Sequence, residues 1–323
     1  MLASLKEEPL TFISSYTDNP MMLKYEDIKQ IAFSALYDPN HFGFYMLARI
    51  INAIVEGDME IISGIIGEPS RELFQEKWPE WVYPSDAQLG ILCGDKRYLV
   101  SFLQYRHSVP ALMKSQLNNT LPQLQHRFEK MSNISQFGDV WMTLMMTCNH
   151  YNIPQIDPPL QWGKHPVHKE KPINTSFPLL YLSNTLDPVT PLSAALKMAL
   201  KFQDAGLVEQ EAMGHCTLSS TSFCTFDKIK KYFTEGKVPG VPVPGKNGRK
   251  GDWERCTAVE KPFKPINEDV LVTASREERG MAKAAKGVRE VLVDLHTSLV
   301  GNRYGGAFPF GMMGRRIGES KRL

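Results

Sequence analysis

Apolar positions along the chain fall first at helical spacing, then in short unbroken runs, then at helical spacing again. Ile28, Ile31, Ala32, Ala35 and Leu36 sit at i, i+3, i+4, i+7 and i+8, which predicts an amphipathic helix stopped by Asp38-Pro39-Asn40. Leu47, Ile50, Ile51, Ile54 and Val55 predict a second helix closed by Gly57, and a third starts at Asp58. Residues 96–150 read as further helices, and the Pro-rich, polar stretch 152–177 reads as a linker. The period then changes. Leu179-Leu180-Tyr181-Leu182 is an apolar run that stops at Asp187, inside the Pro-bounded turn Asp187-Pro188-Val189-Thr190-Pro191. Leu192, Ala195, Leu196, Ala199 and Leu200 return to helical spacing until Gly206, and Leu207-Val208 begin a second strand that leads to Gly214-His215. A helix from about Phe226 to Tyr232 ends at Gly236, and a loop with Pro239, Pro242 and Pro244 follows. Ser275-Arg276-Glu277-Glu278 spells a capping box, and Val288, Val291, Leu292, Leu295 and Leu299 form a last apolar stripe closed by Gly301.

Strand, helix and strand in succession predict two parallel strands joined by a crossover, with their C-terminal ends on one edge of the sheet. Asp187 ends one strand and His215 the next, so the two can meet. A buried carboxylate beside an imidazole holds one ring nitrogen in a fixed tautomer and leaves the other to take a proton from a nucleophile. Acid and then base, one αβ unit apart, is the order in which an α/β-hydrolase presents its last two triad members. The nucleophile of that fold precedes them on a G-x-S-x-G elbow, where small residues permit a tight, strained turn. The 323 residues contain no G-x-S-x-G. Gly318-Glu319-Ser320 is half a match, but Arg322 follows and the segment lies after the His; Ser4, Ser14, Ser15 and Ser63 have no glycines at the two required positions. Cys216 adjoins His215, and the side chains of neighbouring residues rarely converge. Two parallel strands alone leave an open edge and an uncovered apolar face, so the chain is expected to be marginal or to depend on a partner fragment.

The stretches "LLYLSNTLDPVTPL", "EAMGHCTLSSTSFC" and "KKYFTEGKVP" resemble the C-terminal domain of the tripeptidyl-aminopeptidase-like serine hydrolases, α/β-hydrolases grouped with the prolyl aminopeptidases. "KYEDIKQIAFSALYDPNHFGFYMLARIINAIVEGD" resembles the cap of that family, and the resemblance covers roughly 20–263. It implies an incomplete α/β-hydrolase fold, with a helical cap and only the C-terminal strands of the parallel sheet. On that basis 1–20 is a connector, 21–151 the cap, 152–263 the C-terminal part of the hydrolase domain, and 264–323 an added amphipathic helix with a basic tail. The resemblance implies Asp187 as triad acid, His215 as triad base, and a substrate that is a peptide N-terminus or a small ester or amide. The alternative is a catalytically inactive remnant that works as a binding or interaction module. The family has Trp shortly after the position of Cys148, where Asn149-His150-Tyr151 stands here. Because the family is largely secreted, the resemblance also implies disulfides: Cys93 with Cys148, and two of Cys216, Cys224 and Cys256, with one of the five cysteines left over.

Composition changes little in this picture. A net charge of +2 gives no electrostatic case for nucleic acid as a partner. The first residues carry no apolar signal core, and Phe42 to Val55 is too short to span a membrane and contains Arg49. The family resemblance favours the secretory compartment, with which the sequons at Asn118, Asn133 and Asn174 are compatible. The last helix is expected to pack on the domain with a disordered basic end after it; the alternative for such a basic amphipathic segment is a membrane or a partner helix. Trp78, Trp81 and Tyr83 pack a cap or line a pocket, and Asp95 serves as a turn residue or as the anchor of a peptide ammonium. His165 and His168 have nothing nearby to complete a metal site, so neither a metal nor a cofactor is expected.

Overall fold

The computed structural model describes residues 4–15, 18–66, 120–146, 172–245, 251–264 and 268–300, with single positions at 90, 91, 93, 148 and 266. Trp78, Trp81, Tyr83, Asp95, Asn118, His165, His168 and the basic tail after Val300 lie outside the described residues. The chain divides into two compact units, one of 1–68 with 163–323 and the other of 69–162.

The first unit opens with a helical turn, α1 (Ser4–Glu7), and an antiparallel hairpin of β1 (Leu10–Ile13) and β2 (Pro20–Leu23). The stretch read as a connector is therefore structured. Each strand has only four residues, too few for alternation to stand out, and the hairpin is anchored through Leu23 of β2 beside Leu5 of α1. Both pack, with Ile28, Ile31, Ile50, Ala53 and Ile62, into one apolar cluster under α2 (Tyr25–Ala35), α3 (Phe44–Glu56) and α4 (Met59–Ile66). Burial of each large aliphatic there contributes roughly 1.5–3 kcal/mol. Between α2 and α3 the chain makes a π-helical turn, Pro39–Gly43. Gly57 closes α3 in the left-handed conformation, and Asp58 Oδ1 accepts the Ile61 N–H at the start of α4. The α3 stripe is turned slightly from expectation: Met46, Ile50 and Ala53 are buried, while Val55 is exposed.

The second unit contains α5 (Leu121–Ile134) and α6 (Gly138–Met146). Gln123 Oε1 accepts the Thr120 N–H to open α5. A disulfide joins the buried Cys93 and Cys148, as the resemblance implied.

The sheet of the first unit has three parallel strands in the order β3 (Leu180–Leu186), β4 (Gly206–Met213), β5 (Glu254–Thr257). Helix α7 (Leu192–Ala199) crosses from β3 to β4, and α8 (Phe223–Glu235) from β4 to β5. Two strands were expected. The third, Glu-Arg-Cys-Thr, has no apolar run, and it exists because its backbone pairs with β4 and because Cys256 is bonded to Cys224 on α8. Cys216 is the free cysteine. Helix α8 begins earlier than its apolar pattern suggests, because the Ser222 hydroxyl accepts the Thr225 N–H as an N-cap.

The faces of β4 differ. Leu207 is buried with Ala199 and Ala205, against Tyr181, Leu196 and Phe202. On the other face Gln210 is buried and donates to the carbonyls of Thr217 and Ser220. Two helices close the unit, α9 (Glu268–Thr273) and α10 (Arg276–Val300), the latter opened by the Ser275–Glu278 capping box. The buried face of α10 carries Ala282, Ala285 and Arg289, while Val288 and Val291 of the expected stripe are exposed. Among the described residues no helix is long and apolar enough to cross a membrane.

Candidate functional site

Asp187 follows the last residue of β3 and is folded back by its own turn. Its Oδ1 accepts the N–H groups of Val189 at 2.9 Å and Thr190 at 2.8 Å, and its Oδ2 accepts the Thr190 hydroxyl at 3.0 Å. This local Asx-type closure is what Asp does readily in a Pro-bounded turn. The Cys216 N–H adds a fourth donor at 3.0 Å. Burial by itself raises a carboxyl pKa, but the N–H donors of Cys216, Thr190 and Val189, with the His215 hydrogen bond, outweigh it and hold Asp187 below its usual value.

His215 lies just past β4. Its Nδ1 is 3.1 Å from Asp187 Oδ1 and 3.2 Å from Oδ2, and its side chain is 30% exposed against 2% for Asp187. One ring nitrogen therefore faces a buried anion while part of the ring reaches solvent. Gly214 has φ +108°, and a Cβ there would fall 2.6 Å from Ser219 Oγ and 2.7 Å from Pro39 Cδ. Cys216 has φ 60° and ψ 163°, a region that residues with a Cβ rarely occupy. Burial raises the Cys216 thiol pKa, which works against a thiolate beside His215.

Residues from distant parts of the chain support this turn. The His215 N–H donates to the Tyr37 carbonyl at 3.0 Å, and the two rings meet edge to face at 5.1 Å. Burial, and then the Asp187 charge, push the Tyr37 hydroxyl pKa up. Asn184 on β3 donates from Nδ2 to the carbonyls of Gly214 at 2.9 Å and Cys216 at 2.7 Å. Asn40, in the π-turn, donates to the carbonyls of Met213 at 3.0 Å and Ser219 at 2.7 Å.

An ion network fixes the π-turn in its place. His41 Nδ1 is 2.8 Å from Asp38 Oδ1, and its Nε2 is 2.9 Å from Glu260 Oε2. Burial lowers the His41 pKa, but the bonds to Asp38 and Glu260 prevail and raise it to about 9. Glu260 also accepts the Thr221 N–H and is paired with Arg289 of α10 at 3.4 Å. Burial raises the Glu260 pKa; His41, Arg289 and that N–H more than reverse the effect and leave it lowered.

Sequence reasoning pointed to Asp187 and His215, which the fold brings together, and missed Asn40, His41, Asn184, Glu260 and Arg289. The signal available was Asn184, an amide in the strand three residues before the Asp. A cavity of about 540 Å³ lies over the sheet, lined by Asn40, Thr185, Glu209, Met213, Trp253 and Arg255 among others, with neither Asp187 nor His215 in its wall. Glu209 is satisfied inside it, accepting from Thr185 Oγ1, Trp253 Nε1 and Arg255 Nε. Cys224, Glu254 and Cys256 are close enough together to share a cation, but both thiols are used in a disulfide. Residues 133–246 match the family described as TAP-like protein, and the matched segment contains both Asp187 and His215. No curated protein matches the chain.

Proposed function

With residues 133–246 forming a TAP-like segment of the α/β-hydrolase family, we propose that Asp187 and His215 are the acid and base of a serine-hydrolase site. The observation that carries this is the contact of His215 Nδ1 with both oxygens of the buried Asp187, at 3.1 and 3.2 Å. With Nδ1–H held by the carboxylate, Nε2 is free to accept the proton of an attacking hydroxyl and to return it to the leaving group, while the Asp187 charge stabilises the imidazolium between the two steps. The serine and the oxyanion donors come from a segment outside this sequence, which has no G-x-S-x-G. The substrate is a peptide N-terminus, attacked as tripeptidyl- or prolyl-aminopeptidases do, or a related small ester or amide. Two disulfides support a site that works in the secretory pathway.

A second reading, an inactive module that binds rather than cleaves, is favoured by the same missing elbow. A fluorophosphonate probe, which reacts only with activated serine, separates the two. The purified chain is expected to remain unlabelled. Mixed with a polypeptide that carries the upstream strands and G-x-S-x-G elbow of a TAP-like hydrolase, it should support labelling that disappears with His215→Ala. Labelling of the mixture that His215→Ala leaves intact would refute the acid–base role. Site-specific labelling of the chain alone, lost with His215→Ala, would show that the nucleophile lies within it.

A further inference from the structure

Cys216 occupies a backbone conformation that is easy for glycine and costly for any residue with a Cβ, and such a conformation persists only where its surroundings impose it. Here both polar backbone groups of Cys216 are gripped from the end of β3. Its N–H donates to Asp187 Oδ2 at 3.0 Å, and its carbonyl accepts from Asn184 Nδ2 at 2.7 Å. The same Nδ2 donates to the Gly214 carbonyl at 2.9 Å, so one amide spans the carbonyls on either side of His215. Carbonyl oxygens only accept, which fixes Asn184 with its nitrogen toward the turn. Asn184 is fully buried, and its Oδ1 finds no partner among the described residues. A buried amide with its acceptor side unmet is present for its donor side.

We infer that Asn184 is a positioning residue for His215: by holding the strained Cys216 peptide, it keeps the imidazole Nδ1 on Asp187. Under the hydrolase proposal above, that pair is the working acid and base; the positioning itself is a property of this chain. Asn40 grips the outer carbonyls of the same turn, Met213 and Ser219, and so bounds the segment that Asn184 tightens.

Two NMR readouts on the full chain test this: the low-field Nδ1–H resonance of an imidazole bonded to a carboxylate, seen with isotope-labelled histidine, and hydrogen exchange at the Cys216 amide. Asn184→Ala should abolish the resonance and speed exchange at Cys216 about tenfold, the equivalent of one buried hydrogen bond. Adding Cys216→Gly should bring the resonance back, because glycine accepts the conformation without being held. A role confined to stability would lower the melting temperature in both variants and leave nothing for glycine to restore. A folded Asn184→Ala chain that keeps the resonance overturns the inference, and so does failure of Cys216→Gly to restore it. Where Asn184→Ala does not fold, Asn184→Val, which fills the strand position and likewise carries no donor, replaces it under the same two criteria. Failure of the hydrolase proposal looks different: wild-type chain shows the resonance, yet gives no His215-dependent labelling when complemented.

Discussion

The turns after β3 and β4 sit side by side and are built in opposite ways. The Asp187 turn closes on itself, with Val189 and Thr190, two and three residues ahead, supplying the N–H groups for its carboxylate. The His215 turn is held mainly from outside, with Ser219 of the same turn adding a local N–H bond to the Cys216 carbonyl at 3.2 Å. Asn40, 173 and 179 residues away, binds its two outer carbonyls; the Tyr37 carbonyl takes the His215 N–H; and Asn184, on the neighbouring strand, binds the two inner carbonyls. The acid is therefore placed mainly by local chain chemistry, and the base mainly by tertiary structure. Anything that loosens the π-turn should disturb the imidazole before it disturbs the carboxylate.

The most severe way to break the His215 turn is Gly214→Ala. At φ +108° a Cβ is strained in itself, and it would also press on Ser219 and Pro39. The expected cost is about 3–4 kcal/mol, read as a fall in the urea midpoint. Gly236→Ala is the reference: its φ is +66° with nothing within 4 Å of the added atom, so its cost should be about 1 kcal/mol. Equal midpoints for the two variants would mean that Pro39 and Ser219 do not press on the His215 turn.

The ion network around His41 gives a gentler handle on the same turn. The folded-state pKa, about 9, is above the ordinary 6.5. Its stabilisation is therefore complete below about pH 6.5 and disappears as the pH rises through about 9. The loss should be on the order of 3 kcal/mol between those limits, with Asp38, Glu260 and Arg289 as the charges facing the ring or its partner. Denaturation at neutral pH and above pH 9 checks it. His41→Gln should be weaker at neutral pH and nearly flat across the window, and a wild-type curve equally flat there would rule out a charged His41.

The same division between local and distant control explains what the sequence made legible. The helices at 25–56, the αβ unit from Leu180 to Met213, the Ser275 capping box and the meeting of Asp187 with His215 follow from periodicity, caps and the geometry of a parallel sheet. Strand β5 did not, because Glu-Arg-Cys-Thr acquires its identity only by pairing with β4. The inner face of α10 did not either. Its valines look like the core stripe, but Arg289 reaches Glu260 and turns Ala282 and Ala285 inward with it. His41 and Glu260 are 219 residues apart and carry no pattern that links them. In Asp38-Pro39-Asn40 the helix-stop signal concealed a buried amide clamp.

The smallest expected effect sharpens the contrast from the acid side. Thr190→Val removes the hydroxyl 3.0 Å from Asp187 Oδ2 but leaves the carboxylate its three backbone N–H donors and His215. Those remaining contacts are the ones that hold the Asp187 pKa down. A lowered carboxyl pKa stabilises the fold above the unfolded value and is lost as the pH falls through the folded one, so the acid-unfolding midpoint should hardly move. The cost at neutral pH should be about 1 kcal/mol, less than the roughly 1.5–3 kcal/mol of a hydrogen bond to a charged group because three N–H donors and His215 still hold the carboxylate. His215 also gains, because the hydroxyl 3.5 Å from Nδ1 is no longer available as an alternative acceptor to Asp187. The Nδ1–H resonance should therefore persist in Thr190→Val, whereas Asn184→Ala abolishes it. A Thr190→Val chain that loses both the resonance and several kcal/mol would show that the acid's turn depends on its side chains as much as the base's does, and the contrast between the two turns would no longer hold.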